Sequence, residues 1–151
     1  MNRVGVIFLI LLGSLLVGCG STRAPKVIDG TWNANLQNLH CTSAYTFFST
    51  LNQGTGSTVT VMNFLFTASA PCFSSPTGQS ATFAATGHAG GYQTGPFAMT
   101  ISTALGSPVE NVLTLTGTRN ADGRISGTWT LAGASGCSGS RNYTMQALLP
   151  L

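Results

Sequence analysis

Charge is scarce in this sequence: six lysines and arginines, three aspartates and glutamates and two histidines among 151 residues. Three carboxylates leave little for chemistry that needs acids in pairs. Glycoside hydrolysis uses two carboxyl groups flanking one bond, whereas Asp29, Glu110 and Asp122 fall at a tether, a strand start and a turn tip. A calcium loop needs alternating carboxylates and a distal glutamate, and Asp122 has neither around it. His40 and His88 lack the neighbouring carboxylates or thiolates of a zinc site. No Gly-x-Ser-x-Gly elbow supports a nucleophilic serine. His40 adjoins Cys41, but neighbours on an extended chain point to opposite faces, a poor placement for proton transfer. His88 lies in the glycine-rich stretch Thr86–Gly91, which reads as a solvated turn. The basic residues are scattered, without the stripe or patch that nucleic-acid binding uses. The expectation is a protein that is not an enzyme and takes no metal, cofactor or nucleic acid.

A sustained helical period is missing as well. The one long apolar run, Val4 to Val17, falls short of the roughly 20 residues that span a bilayer as a helix. It follows Asn2 and Arg3 and leads through small residues into Cys19, the layout of an export signal. Leu16-Val17-Gly18-Cys19 resembles the lipobox of bacterial lipoproteins. The resemblance implies cleavage after Gly18 and a lipidated Cys19 as the mature N-terminus. One acyl chain holds a protein marginally, and two or more hold it firmly. Gly20 stands where an aspartate would signal inner-membrane retention, which favours the outer membrane of a Gram-negative cell. Removing residues 1–18 leaves 133, enough for one domain with a real core. The mature chain then carries five basic residues against three acidic ones, a formal charge of +2.

After a short tether, residues 19–28, the pattern becomes short alternating runs between turn residues. In Gly30–Gln37, Trp32, Ala34 and Leu36 share one face, and Thr31, Asn33, Asn35 and Gln37 the other, the period of a half-buried strand. Further strands are expected over Ala44–Leu51, Ser57–Thr67, Ala81–Thr86, Pro96–Ser102, Glu110–Thr118, Arg124–Leu131 and Arg141–Leu149. Ser57–Thr67 is apolar on both faces, which obscures its phase and suggests a bulge. Asn120-Ala121-Asp122-Gly123 reads as a hairpin turn whose glycine takes a positive φ. Eight such strands in residues 29–151 predict an all-β domain, an antiparallel up-and-down barrel whose closure removes both edges. A β-sandwich is the alternative.

Gly30-Thr31-Trp32 and Gly127-Thr128-Trp129 resemble the glycine-x-tryptophan signatures of lipocalin- and avidin-like barrels. The biotin-binding polar set of avidins has no counterpart here, so both tryptophans are expected as core residues at strand starts. The inward aromatics and methionines, Phe47, Phe64, Phe97, Met99, Trp129 and Met145, point to a small apolar ligand or an envelope component bound in or at the rim of the barrel. A solid-cored interaction module without a ligand is the competing expectation. A polar group stranded in an opening, Asn63 or Tyr45 first, would mark a ligand contact.

With Cys19 lipidated, Cys41, Cys72 and Cys137 remain, an odd number in an oxidising compartment. All three fall in connections at one rim of an up-and-down barrel, so three pairings are open, and the adjacency of first and last strands favours Cys41 with Cys137. Ala70-Pro71-Cys72-Phe73 and Gly136-Cys137-Ser138-Gly139-Ser140, with the two Gly-Thr-Trp segments, resemble a poorly characterised group of small acidobacterial-type envelope lipoproteins. In that group the cysteine near Cys41 is dispensable, so the resemblance implies a Cys72–Cys137 disulfide.

Overall fold

The computed structural model describes residues 26–67, 72–73, 77–103, 111–133 and 135–148. The lipobox with Cys19, and also Glu110 and Leu149, lie outside the described residues. Nine strands form, and no helix occurs among the described residues. They are β1 (Gly30–Gln37), β2 (Ser43–Gln53), β3 (Thr58–Thr67), β4 (Thr77–Phe83), β5 (Gly87–Ala89), β6 (Tyr92–Thr103), β7 (Val112–Arg119), β8 (Ile125–Ala132) and β9 (Gly139–Ala147). Every strand pairing is antiparallel. β1 pairs with both β2 and β9, and β4 pairs with β6, so eight strands close into the expected up-and-down barrel.

The ninth strand comes from the glycine-rich stretch. β5 pairs with the start of β6, Gly87 opposite Thr94, and continues the line of β4 beyond Phe83. His88 therefore sits on a short exposed strand rather than in a turn, and the turn itself is Gly90-Gly91, both at positive φ.

Alternation does most of the folding. Inward positions of the eight barrel strands supply Trp32, Phe47, Val59, Phe83, Met99, Leu115, Trp129, Tyr143 and Met145 to one contiguous core. An eight-stranded barrel is just wide enough for side chains to fill, and these residues meet in the middle. Most outward positions are polar (Thr31, Asn35, Thr116, Thr128, Thr130 and Thr144 among them), the reverse of a barrel that faces lipid. Gly117 and Gly127 face each other across β7 and β8, beside Tyr143 on β9. A Cβ on Gly117 would stand 2.7 Å from the Tyr143 hydroxyl, and one on Gly127 would collide with the Thr116 carbonyl oxygen. That bare backbone makes room for the tyrosine ring.

The expected bulge falls at Asn63. Phe48 pairs with Leu65 and Thr50 with Met62, so β3 has one residue more than β2 there. Asn63 takes a left-handed φ of 52°, tolerable for asparagine. The extra residue switches the inward phase from Val59 and Val61 to Phe64 and Phe66. Leu65 and Met62 are left exposed. β3 and β4 share only two residue pairs, at Thr58 and Val59, and part company above them.

The domain also begins earlier than the first alternating run suggests. Ile28 is fully buried in the core, and Lys26 bridges to Tyr92 in parallel. Lys26–Ile28 belong to the barrel.

Candidate functional site

The barrel has two unlike ends, each closed by a different device. The proximal end receives the N-terminal segment and the β2–β3, β4–β6 and β7–β8 connections; the distal end carries the β1–β2, β3–β4, β6–β7 and β8–β9 connections.

At the proximal end the plug is a cation. Arg119 closes β7 at the same parity as Leu113 and Leu115, so its side chain enters the barrel mouth, where it is 2% exposed. Its Nη1 donates to the Lys26 carbonyl at 2.9 Å and its Nε to the Gly123 carbonyl at 3.4 Å. The guanidinium lies 5.5 Å from the Trp32 ring centre and 5.2 Å from that of Tyr92. Burial lowers the Arg119 pKa from the usual guanidinium value, and the neighbouring Tyr92 phenol opposes the shift. Trp32 in turn donates its indole N–H to the Ile28 carbonyl at 2.8 Å. The arginine thus stitches the entering chain to the β7–β8 turn across two aromatic faces. In that turn Gly123 has a φ of 81° and Asp122 accepts from the Arg124 amide, the turn role expected of it.

At the distal end the plug is a strap. Cys72 and Cys137 form a disulfide, with 5.4 Å between their Cα atoms. Phe73 stacks edge-on against Phe64 and Phe66, ring centres 5.6 and 5.0 Å away, where β3 has parted from β4. Asn111 donates its side-chain amide to the Cys72 carbonyl at 2.6 Å. The Cys41–Cys137 pairing that strand adjacency favours does not form, and Cys41 is a free thiol. Its turn is held by Asn38, which accepts from the His40 and Thr42 amides and leaves Cys41 exposed at φ 57°. All three cysteines do lie at one rim.

Neither candidate ligand contact is stranded. The Tyr45 hydroxyl shares its proton between the Gly136 and Ser138 carbonyls, at 3.0 and 3.2 Å. Asn63 is exposed, 3.4 Å from the Thr50 hydroxyl. Among the described residues, the buried hydroxyls without a partner are instead those of Ser49 and Tyr143. Burial pushes the Tyr143 phenol well above the ordinary tyrosine range. A proton held more tightly in the folded than in the unfolded state makes stability fall as pH rises past the unfolded tyrosine pKa of about 10. Tyr143→Phe is expected to raise stability at pH 7 by about 1 kcal/mol, by removing a buried unpaired hydroxyl. It should also flatten the loss of stability above pH 10, as read from urea midpoints along a pH series.

Two open clefts lie at the ends. The proximal one, about 1000 Å³, is lined by Lys26, Val27, Tyr92, Arg124 and Leu148 among others. The distal one, about 640 Å³, runs between the β1–β2 and β8–β9 connections, with Tyr45 and Trp129 at its base and Leu39, His40 and Arg141 around it. Leu39 is 70% exposed, the most exposed of the large apolar side chains among the described residues. His40 stands at the distal end and His88 on β5 at the proximal end, so the fold does not unite them. No group of three or more His, Cys, Asp or Glu side chains gathers among the described residues. Compared with known proteins, the chain matches no family model, no curated protein and no solved structure.

Proposed function

We propose that this chain is a lipid-anchored protein of the cell envelope, held by acyl chains on Cys19, that works as a non-enzymatic interaction module. Its barrel serves as a filled pedestal, and its distal rim receives a small apolar ligand or an apolar segment of another envelope protein. The observation that carries this reading is the core itself: inward side chains from all eight barrel strands meet, which moves any binding surface to the ends. The distal cleft has the size and the mixture of aromatic base and few polar groups usual in ligand sites. Leu39 supplies exposed apolar surface there, and Arg141 and His40 supply donors.

A photoreactive residue at Leu39 or at Arg141 is expected to give a discrete adduct in intact cells. The same group at Thr116, on the outward wall, should give none. Equal adducts at all three positions would contradict the rim assignment. A ligand retained by the isolated protein in native mass spectrometry, and unaffected by Leu39→Asp, would return binding to the interior.

A further inference from the structure

We infer that the proximal rim is a docking surface for a bilayer containing anionic phospholipid, so that the barrel stands end-on against the headgroups rather than swinging free on its tether. The inference builds on the anchoring read at Cys19, but rests on its own geometry. Lys26, where the barrel begins, comes seven positions after Cys19. At about 3.5 Å per residue, the tether reaches roughly 25 Å at full stretch. The chain enters the barrel at the proximal end, so that end, and not the distal rim, lies within reach of the lipid.

What that end presents suits an interface. Val27 and Leu148, each 42% exposed, line the same cleft, one on the entering segment and one just past β9. These are two of the five large apolar side chains left exposed among the described residues. Lys26 and Arg124 flank them, and Tyr92 offers a half-buried ring with the Lys26 ammonium 5.6 Å from its centre. An apolar pair ringed by basic groups and a tyrosine is how a peripheral surface meets the headgroup layer. The cleft also holds two carboxylates. Asp29 accepts from the Gln53 amide at 2.6 Å, and Asp122 accepts from the Arg124 amide at 3.0 Å with its other oxygen 4.0 Å from the Arg124 Nε. Asp29 is thus tied across to the end of β2, and Asp122 within its own turn. The Lys26 ammonium has no carboxylate partner among the described residues, and the Arg124 guanidinium keeps its remaining donors free for a phosphate. Arg23, in the tether sequence, adds a further positive charge between the anchor and the barrel.

The test separates docking from lipidation. The mature chain from residue 19, carrying Cys19→Ser, retains the whole closed barrel and its core, and needs no acyl group to be assayed. It is expected to co-float with phosphatidylethanolamine–phosphatidylglycerol vesicles more than with phosphatidylcholine vesicles. Replacing Lys26 and Arg124 with glutamine should cut that partitioning roughly 30-fold, the effect of two basic side chains at an anionic surface. In the native protein reconstituted into the same anionic vesicles, amide exchange should slow over 26–31, 120–124 and 146–148, and stay unchanged over 38–42 and 136–141. Equal exchange at the two ends, or protection of the distal rim instead, overturns the inference whatever the partitioning. Loss of the lipid on Cys19 would sink the anchoring reading and leave the vesicle result standing.

Discussion

Protein carrying Cys72→Ala and Cys137→Ala is expected to be about 4 kcal/mol less stable than the oxidised wild type, the entropy released when a cross-link closing 65 residues is removed. With a urea dependence of about 2 kcal/mol per molar for a domain of this size, the midpoint should fall by roughly 2 M. The size of the effect follows from where the bond lies. β3 and β4 share only two residue pairs, so the distal half of that seam is not sealed by a ladder. Among the described residues, sealing falls to Cys72 and Phe73, and the disulfide fastens them covalently to the far side of the barrel. Amide exchange should therefore rise first in 60–67 and 77–80. A loss under about 1 kcal/mol would mean that Phe73 stacking and the Asn111 hydrogen bond hold the strap unaided. Cys41→Ser, at an exposed turn, should leave the midpoint unchanged.

Arg119→Met should cost about 3 kcal/mol, although methionine keeps much of the unbranched stem. The guanidinium is nearly inaccessible and serves two carbonyls and two ring faces. Hydrogen bonds from a charged donor contribute roughly 1.5–3 kcal/mol each, and the desolvation recovered on removing the charge offsets part of that. Arg119→Lys should recover only a minor part of the loss, because an ammonium cannot bridge the Lys26 and Gly123 carbonyls while also keeping contact with the Trp32 and Tyr92 rings. The predicted signature is local as well as global. The Lys26 carbonyl keeps its bond from the Gln93 amide but loses the one from Arg119, so exchange at 26–29 and Trp32 emission should both respond. If Arg119→Lys matched wild type, the planar fork would have no special part in closing the barrel.

Much of this architecture was legible in period two. Gly30–Gln37 forms β1 with the expected bounds, because Trp32, Ala34 and Leu36 alternate cleanly with polar partners. The β7–β8 turn followed from Asn120, Asp122 and Gly123, whose chemistry is local. What parity obscured was set by single inserted residues and by distant contacts. The inward phase of β3 hinges on one left-handed residue, Asn63, and no alternation rule crosses a bulge. Arg119 stood one position beyond the expected strand end, and extending the Leu113–Leu115 parity by two steps would have placed it inside. Its charge argued for the surface, and only the carbonyls of Lys26 and Gly123 with two aromatic faces make the interior acceptable. The strand seam without pairing between β3 and β4 left no trace in composition. The distal cleft is equally a product of assembly, since Leu39 and Arg141 lie about a hundred positions apart along the chain.

We propose that a filled barrel is displayed on a membrane through Cys19, and the mass of the N-terminal peptide of protein purified from the membrane fraction of its own cells tests this. The expected peptide begins at Cys19 and carries a diacylglyceryl thioether, with no peptide from residues 1–18. A mature chain beginning elsewhere, or a Cys19 thiol free to react with maleimide, would contradict it.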